Sequence, residues 1–251
     1  MKKKLITIWV LIGMFSSGTV LWWSCFLLNS NQWGISWAYN PISGFYEPKS
    51  EEEIKREIIQ EIISKMDFYS DYSLQKFLDD KHPLSWNYEA DVVRINSDFT
   101  SNKSSDFYLR KEAAEAFASM ARDFSNAFEF RAKLTINSAR RSLAYQRKLA
   151  ANCSNARCAT PWTSEHEAWL ALDLWVNGWN IKAWSGRYYQ RLLNNAYKYG
   201  FHNSYQKWME TDGKIIEPRH WRYVWVDLAT ILHDDSQTFT EYFYQNIEPR
   251  T

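Results

Sequence analysis

The sequence predicts an α+β fold, with a small antiparallel sheet flanked by helices and preceded by an N-terminal transmembrane helix. The first observation is that helical and strand-like patterns follow one another without a regular βαβ rhythm, which favours an antiparallel sheet. The second is that residues 5–28 carry no charge, and about 20 apolar residues suffice to cross a bilayer as a helix. The length of 251 residues suits one main domain with accessory segments.

The composition limits the classes of partner. The formal net charge is +1, which argues against a nucleic-acid partner held by bulk electrostatics. The chain has 8 glycines, whereas an average content of roughly 7% would give about 18. Tryptophan occurs 14 times. The glycine shortage and the tryptophan excess therefore call for a common explanation.

The N-terminus predicts export. Lysines at positions 2, 3 and 4 precede the uncharged run, and the positive-inside rule places them in the cytoplasm and the rest of the chain outside the membrane. The competing interpretations are a cleaved signal peptide and lipidation at Cys25. We therefore expect a cell-envelope protein held to the membrane by its N-terminal helix, or a secreted or lipidated form.

Changes of pattern along the chain predict four segments. Residues 1–28 are the membrane anchor or signal segment, 29–82 a linker and an amphipathic helix, 83–240 the main domain, and 241–251 a C-terminal tail. The helix covers residues 51–66, where isoleucines recur at helical spacing after an acidic first turn. Its apolar stripe suits a stalk as well as a helix packed on the domain.

Within the main domain, helices and strands are predicted in mixed order. We expect helices over residues 108–130, 142–151 and 186–199, and strands over 134–136, 168–174 and 221–226. The first helix carries a core-facing set of side chains at helical spacing, which are Ala113, Ala114, Phe117, Met120 and Phe124. The third helix ends at Gly200, a residue suited to a helix C-terminus.

Two cysteines lie close together in the segment CSNARC. Cys153 and Cys158 most simply form a disulfide that closes a short loop in an oxidising compartment. The alternative is a pair of free thiols. A zinc site built from them is not expected, because no second cysteine or histidine pair lies nearby in the sequence.

The stretch PWTSEHEAWLALD, residues 161–173, brings a histidine and an aspartate close in sequence. If residues 168–174 form a strand, alternate leucines face the core and Asp173 faces the other way. His166 lies in the loop before this strand, and Glu217 and His220 follow later around a helix-breaking proline. Two histidines and one carboxylate suit a catalytic zinc ion with an open fourth position, and a further carboxylate can serve as the base. A hydrogen-bonded structural His–Asp pair is the alternative.

Four segments in order carry a family resemblance between about residues 83 and 233. They are Leu109–Ala114, Ser138–Ser142 with Tyr145 and Gln146, the run SEHEAWLALD at 164–173, and the run EPRHWRYV at 217–224. This ordered set resembles the zinc D-alanyl-D-alanine carboxypeptidases of the VanY type, which have the hedgehog/DD-peptidase fold.

The resemblance implies roles for particular residues. His166, Asp173 and His220 would bind Zn²⁺, and Glu217 would be the general base and acid. Arg141 would bind the terminal carboxylate of the substrate or stabilise the oxyanion, work that suits a planar guanidinium. Ser164 and Gln146 would donate or accept hydrogen bonds at the bound peptide end. For Arg141, Ser164 and Gln146 the alternative is a structural role at a helix start or in a loop.

The resemblance also implies a reaction: hydrolysis of the terminal D-alanine of peptidoglycan stem peptides, with the stem peptide as partner. Two alternatives share the fold, namely an L,D-carboxypeptidase and a stem-peptide endopeptidase. A third is a non-catalytic homologue that binds the cell wall through its aromatic surface. The sequence leaves these open because the shape of the pocket decides which peptide end is accepted.

The sequence departs from the family pattern at three glycine positions. Trp162, Trp169 and Trp225 stand where the pattern has glycine, a residue that permits positive φ or close approach of another backbone. Our hypothesis is that UGA codons have been translated as tryptophan whereas the source organism reads them as glycine. If the tryptophans are genuine, the alternative is a degenerate homologue or one of altered specificity. Arg219 is a milder departure, because the family has an aromatic residue there.

Overall fold

The computed structural model describes residues 37–40, 45–96, 98–102, 106–181, 186–207 and 213–249. These residues form two compact units that divide between Ser64 and Lys65. The predicted membrane helix or signal segment, residues 1–28, lies outside the described residues. Among the helices of the described ranges, none combines the length and the apolar character that a membrane span requires.

The first unit contains a strand pair and one helix. Its elements are β1 (Trp37–Asn40), β2 (Phe45–Pro48) and α1 (Glu51–Ser64). The two strands pair antiparallel. Helix α1 begins with a capping arrangement, in which the Glu53 amide donates to Ser50 Oγ at 3.2 Å and the Ser50 amide donates to the Glu53 carboxylate at 2.7 Å. The predicted helix is confirmed, whereas the strand pair before it was not anticipated.

The second unit mixes short strands with helices, as the sequence predicts. Its elements, in chain order, are β3 (Val92–Arg94), β4 (Tyr108–Arg110), α2 (Lys111–Ala127), β5 (Leu134–Ser138), α3 (Leu143–Ala150), β6 (Ala171–Val176), β7 (Trp179–Asn180), α4 (Arg187–Leu193), β8 (Phe201–His202), β9 (His220–Tyr223), α5 (Val226–Asp234) and α6 (Phe239–Tyr242). A 3-10 turn at Ala196–Tyr199 follows α4 and ends at Gly200. Gly200 has φ +79°, which confirms the predicted stop, but the single helix predicted over 186–199 is divided into α4 and this 3-10 turn.

The central sheet is antiparallel throughout. Its strand order is β5-β6-β9-β8, and β7 pairs with the end of β6. Strands β6 and β7 are joined by Asn177 and Gly178, which both have positive φ, the geometry of a tight Asn-Gly hairpin turn. Because β5 and β9 pair with β6 on opposite sides, β6 lies inside the sheet. The α+β prediction with a small antiparallel sheet is confirmed.

Helix α2 packs its predicted face into the core. Ala113, Phe117 and Phe124 are at most 1% exposed, and they belong to the same apolar cluster as Leu134 of β5 and Leu172 of β6. Full burial of a large apolar side chain contributes about 1.5–3 kcal/mol. The helix begins at Lys111 rather than at Tyr108, because Tyr108–Arg110 pairs with β3 instead.

The C-terminal part differs from the sequence prediction. The strand predicted over 221–226 ends at Tyr223, because Trp225 has a positive φ that interrupts an extended strand, and α5 begins directly afterwards. The predicted tail 241–251 continues as α6 followed by a π-helical turn at Phe243–Ile247.

Aromatic packing explains why this end of the chain is ordered. The Phe243 ring stacks on Phe77 with the centroids 3.9 Å apart, and Phe68 and Phe239 lie against the same pair. Since Phe68 and Phe77 precede residue 83 in the sequence and Phe243 follows residue 240, the compact unit extends beyond both predicted domain boundaries.

Candidate metal centre

Strand pairing brings the first two candidate ligands together. Asp173 of β6 lies directly opposite His220 of β9, and side chains of such antiparallel pairs are neighbours on one face of a sheet. The Asp173 Oδ1 atom lies 3.4 Å from His220 Nδ1. Both residues are at most 4% exposed. The register of β6 on β9 thus places two of the three candidate ligands side by side.

The third candidate ligand comes from the turn before β6. The carbonyl of His166 accepts hydrogen bonds from the Arg141 and Trp169 amides, which fixes the backbone of this turn. The Nδ1 atom of His166 lies 2.7 Å from the Ala139 carbonyl and donates to it, so Nε2 carries the free lone pair. That Nε2 lies 3.5 Å from Asp173 Oδ1. The ligand atoms of His166, Asp173 and His220 all lie within 4.8 Å of one another.

The chemistry of this cluster fits a divalent metal ion. Within the described residues, His166 Nε2 and Asp173 Oδ1 are buried without a hydrogen-bond partner, although buried polar atoms are almost always paired. A cation between them would satisfy both atoms. Two imidazole nitrogens and one carboxylate oxygen are the donor set of a tetrahedral zinc site that keeps one position open. The residues therefore suit Zn²⁺.

Burial and charge shift the protonation of these groups. Burial lowers the pKa of His166 to about 4. Burial acts in the same direction on His220, but the neighbouring carboxylates of Asp173 and Glu165 outweigh it and raise the pKa to about 9. Burial alone would raise the pKa of Asp173, yet the two histidines beside it hold that pKa far below its usual range.

The predicted base, Glu217, is connected to the cluster through Arg219. The Glu217 Oε2 atom lies 3.4 Å from Arg219 Nη2, and Arg219 Nε lies 3.9 Å from Asp173 Oδ1. One guanidinium group thus contacts both carboxylates. The Glu217 carbonyl also accepts from the Asn203 side chain. The arginine that replaces the expected aromatic residue lies within the site itself.

Arg141, the predicted carboxylate-binding residue, also reaches the centre. Its Nη2 donates to Asp173 Oδ2 at 2.9 Å, and its Nε donates to Ser138 Oγ at 3.2 Å. The side chain is 19% exposed, so it is accessible at the edge of the site. The structure brings five of the predicted residues together, which are His166, Asp173, His220, Glu217 and Arg141.

The other two predicted residues occupy different surroundings. Ser164 is buried, and its Oγ accepts from the His166 amide at 3.3 Å, so it shapes the turn that carries a ligand. Gln146 is fully buried, and its Nε2 donates to the Ala159 carbonyl at 2.8 Å. Its contact to peptide substrate stays a prediction.

Sequence reasoning missed two groups beside His220. Glu165 Oε2 lies 2.7 Å from His220 Nε2 and accepts from Ser204 Oγ at 2.8 Å. Burial alone would raise the pKa of Glu165, but the hydrogen bond and the charge of His220 lower it to about 2. The only signal for Glu165 was its place in the SEH motif. Nothing in the sequence pointed to Ser204, which comes from a separate segment.

The predicted disulfide is present. Cys153 and Cys158 are bonded, with their Cα atoms 6.0 Å apart. The Ala156 carbonyl in the closed loop accepts from the Ile215 amide, two residues before Glu217. The loop therefore contacts the segment that leads into the centre.

Solved structures share this architecture. The LdcB LD-carboxypeptidase matches with a TM-score of 0.62 and 28% identity, over 69% of this chain and 86% of that chain. The structure of VanYB in complex with D-alanine-D-alanine matches with a TM-score of 0.55 and 21% identity, over 68% of this chain and 97% of that chain; this likeness shows the fold. Fold and site together define a protein of the hedgehog/DD-peptidase class with a His–Asp–His centre.

Sequence comparisons match part of the chain to one family. Residues 106–226 match the model of the VanY family, described as D-alanyl-D-alanine carboxypeptidase. A D-alanyl-D-alanine carboxypeptidase of Enterococcus faecalis (strain ATCC 700802 / V583) is 35% identical over 85 residues. That alignment covers 34% of this chain and 31% of the relative, so the match spans about a third of either protein.

Proposed function

We propose that the protein is a zinc-dependent D-alanyl-D-alanine carboxypeptidase that removes the terminal D-alanine from peptidoglycan stem peptides. The observation that carries this proposal is the pair of buried atoms, His166 Nε2 and Asp173 Oδ1, which lack a hydrogen-bond partner in the described residues and face His220 Nδ1. The VanY match over residues 106–226 and the Enterococcus faecalis relative support the choice of substrate.

His166, Asp173 and His220 would hold a zinc ion. When bound, zinc supplies a Lewis acid that acidifies water and polarises carbonyl groups. Glu217 accepts a proton from the attacking water and donates it to the leaving amine. Arg141 binds the terminal carboxylate of the peptide through its planar guanidinium.

The test is peptide hydrolysis by the purified chain with a matched pair of variants. The wild-type protein is expected to release D-alanine from a peptide ending in D-alanyl-D-alanine, and a chelator is expected to abolish release. Glu217→Gln keeps its zinc and loses about 10²–10⁴-fold in kcat, the range expected for loss of a general acid–base group. Glu115→Gln on the exposed side of α2 is the control and keeps full activity. Turnover that survives chelation would exclude this mechanism.

An L,D-carboxypeptidase is the second candidate. The specific observation in its favour is the likeness to LdcB, which covers 86% of that chain. Parallel assays on a pentapeptide ending in D-alanyl-D-alanine and on a tetrapeptide ending in a single D-alanine separate the two activities. Cleavage inside the stem would indicate an endopeptidase instead. Zinc-free folded protein without turnover would indicate the non-catalytic wall-binding homologue.

We further propose that this domain works in the cell envelope, outside the cytoplasm. The supporting features are the uncharged run 5–28 after three lysines and the Cys153–Cys158 disulfide, since disulfides persist in oxidising compartments. An alkaline phosphatase fused after residue 50 is expected to be active in a bacterial host. Inactivity of the fusion would reject export, and the mass of the isolated chain would distinguish the uncleaved anchor from a cleaved or lipidated form.

A further inference from the structure

Glu165 is a buried carboxylate that the proposed mechanism does not use. Its side chain is 9% exposed, and its Oε2 lies 2.7 Å from His220 Nε2. The other ring nitrogen of His220, Nδ1, lies 3.4 Å from Asp173 Oδ1. The two nitrogens of one imidazole thus have separate partners, the metal cluster on one side and Glu165 on the other.

A histidine that binds a metal through Nδ1 needs its proton on Nε2. A carboxylate that accepts from Nε2–H fixes both the tautomer and the orientation of the ring. His166 achieves the mirror arrangement, because its Nδ1 donates to the Ala139 carbonyl at 2.7 Å and its Nε2 faces the cluster. Each candidate histidine ligand is therefore oriented by an acceptor outside the cluster.

Glu165 is itself held in place. Ser204 Oγ donates to Oε2 at 2.8 Å, and Ser204 is 5% exposed. Arg222 of β9, the strand that carries His220, is fully buried. Its positive charge helps to lower the pKa of the Glu165 carboxyl group. The neighbouring Asn203 side chain donates to the His220 carbonyl at 2.7 Å. The segment Asn203–Ser204 thus supports the backbone of His220 and the carboxylate that holds its ring.

We propose that Glu165 is a positioning residue of the metal centre, which holds His220 with Nδ1 directed at the metal ion, and that Ser204 fixes Glu165 for this task. The inference rests on the zinc centre of the proposed function. It predicts that removing the acceptor weakens metal binding more than it weakens the fold.

The test measures zinc affinity of the purified full-length chain by competition with a chromophoric chelator. Glu165→Ala removes the acceptor and is expected to lower zinc affinity by about 10–100-fold, the range for lost partners of metal ligands. Glu165→Gln keeps an acceptor oxygen, so this variant is expected to retain most of the zinc affinity of the wild type. Ser204→Ala leaves the carboxylate in place without its donor, and a loss of a few-fold is expected. Absorption of the cobalt-substituted protein reports on ligand geometry independently of activity.

Asp71 provides the matched control. It is another largely buried carboxylate, paired with Lys76 at 3.4 Å and accepting from the Ser85 amide at 2.8 Å. Asp71→Ala is expected to lower the melting temperature without changing zinc affinity. Glu165→Gln and Ser204→Ala maintain the test if Glu165→Ala does not fold.

The outcomes separate this inference from the proposed function. Wild-type zinc affinity in Glu165→Ala overturns the positioning role and leaves the zinc centre intact. Equal loss of affinity in Glu165→Ala and Glu165→Gln, with an unchanged cobalt spectrum, also overturns it, because charge rather than ring position would then be responsible. Failure of the wild-type chain to bind zinc overturns both proposals.

Discussion

Three tryptophans have backbone conformations that suit glycine. Trp162, Trp169 and Trp225 have φ of 75°, 59° and 73°, in the region that bulky side chains rarely adopt. Trp225 also has ψ of 156°, a combination found almost only in glycine. These are the three positions where the family pattern has glycine, so the backbone supports the recoding hypothesis. UGG codons at these positions would end it, and the mass of the native protein is an independent check.

The strain at residue 225 can be measured directly. Both Trp225→Gly and Trp225→Ala remove the indole, so their difference isolates the cost of a Cβ at positive φ. We expect the glycine variant to be more stable by about 1–2 kcal/mol in urea unfolding. Trp86, 82% exposed, is the matched control, and there alanine is expected to be the more stable replacement. An alanine variant at 225 as stable as the glycine variant would contradict the expectation.

Trp169 shows how one backbone angle changes a side-chain prediction. A strand that began at residue 168, as the sequence analysis expected, would place the Trp169 indole on the same face as Asp173. Strand β6 begins only at Ala171, and the positive φ at 169 ends the alternation. The indole instead packs against the Tyr88 ring. The Arg140 guanidinium lies over the Trp169 ring, 4.5 Å from the centroid of that ring.

At the scale of elements, the disulfide loop and the segment before Glu217 form one unit. The 214–215 segment donates hydrogen bonds to the loop. The Ile215 amide donates to the Ala156 carbonyl, and Lys214 Nζ donates to the carbonyls of Asn155 at 2.5 Å and Cys158 at 3.2 Å. Closing a loop with a sequence separation of 5 removes conformational freedom from the unfolded chain.

Removing this disulfide is expected to cost stability and spare the metal centre. The double variant Cys153→Ser/Cys158→Ser should unfold with a free energy about 2 kcal/mol lower, the chain-entropy value for so short a loop. Zinc affinity is expected to stay at the wild-type level, since no ligand lies in the loop. Wild-type protein under reducing conditions is the control and should show the same loss. Unchanged unfolding would mean that the reduced loop keeps its structure.

At the scale of the molecule, an ionic cluster joins two distant parts of the chain. Asp79 binds His82 Nδ1 at 2.8 Å and accepts from the Tyr244 hydroxyl, and His82 Nε2 lies 3.1 Å from Glu248. These bonds run beside the stacked rings of Phe77 and Phe243. Residues before 83 and after 240 thus close the compact unit together.

This cluster predicts a pH dependence of stability. Burial alone would raise the pKa of Asp79, but the hydrogen bonds from Tyr244 and His82 lower it below the usual 3.8. A depressed pKa in the folded state gives stability that is fully present above the unfolded pKa and is lost as pH falls through the folded pKa. Asp79→Asn should therefore lower the unfolding free energy by about 1–2 kcal/mol at neutral pH. Below a pH of about 4, the unfolding free energy of this variant should fall less steeply than that of the wild type.

The measurement is urea unfolding from pH 7 down to the acid range, with Asp98→Asn as control on the exposed surface. The control is expected to follow the wild-type curve. Parallel curves for wild type and Asp79→Asn would show that this carboxylate does not contribute to the acid sensitivity.

Features that depend on local order could be predicted from the sequence alone. The apolar face of α2, the helix stop at Gly200 and the Cys153–Cys158 pair follow from periodicity and short spacing, whereas the roles of His166, Asp173, His220 and Glu217 followed from the ordered motifs of the family resemblance. The remaining features depend on contacts between distant segments. The register of β6 on β9 places Asp173 opposite His220, Ser204 meets Glu165 from a separate segment, and Phe243 returns to Phe77. These contacts join residues far apart in sequence, and their geometry is fixed by packing and strand pairing, which no local pattern records.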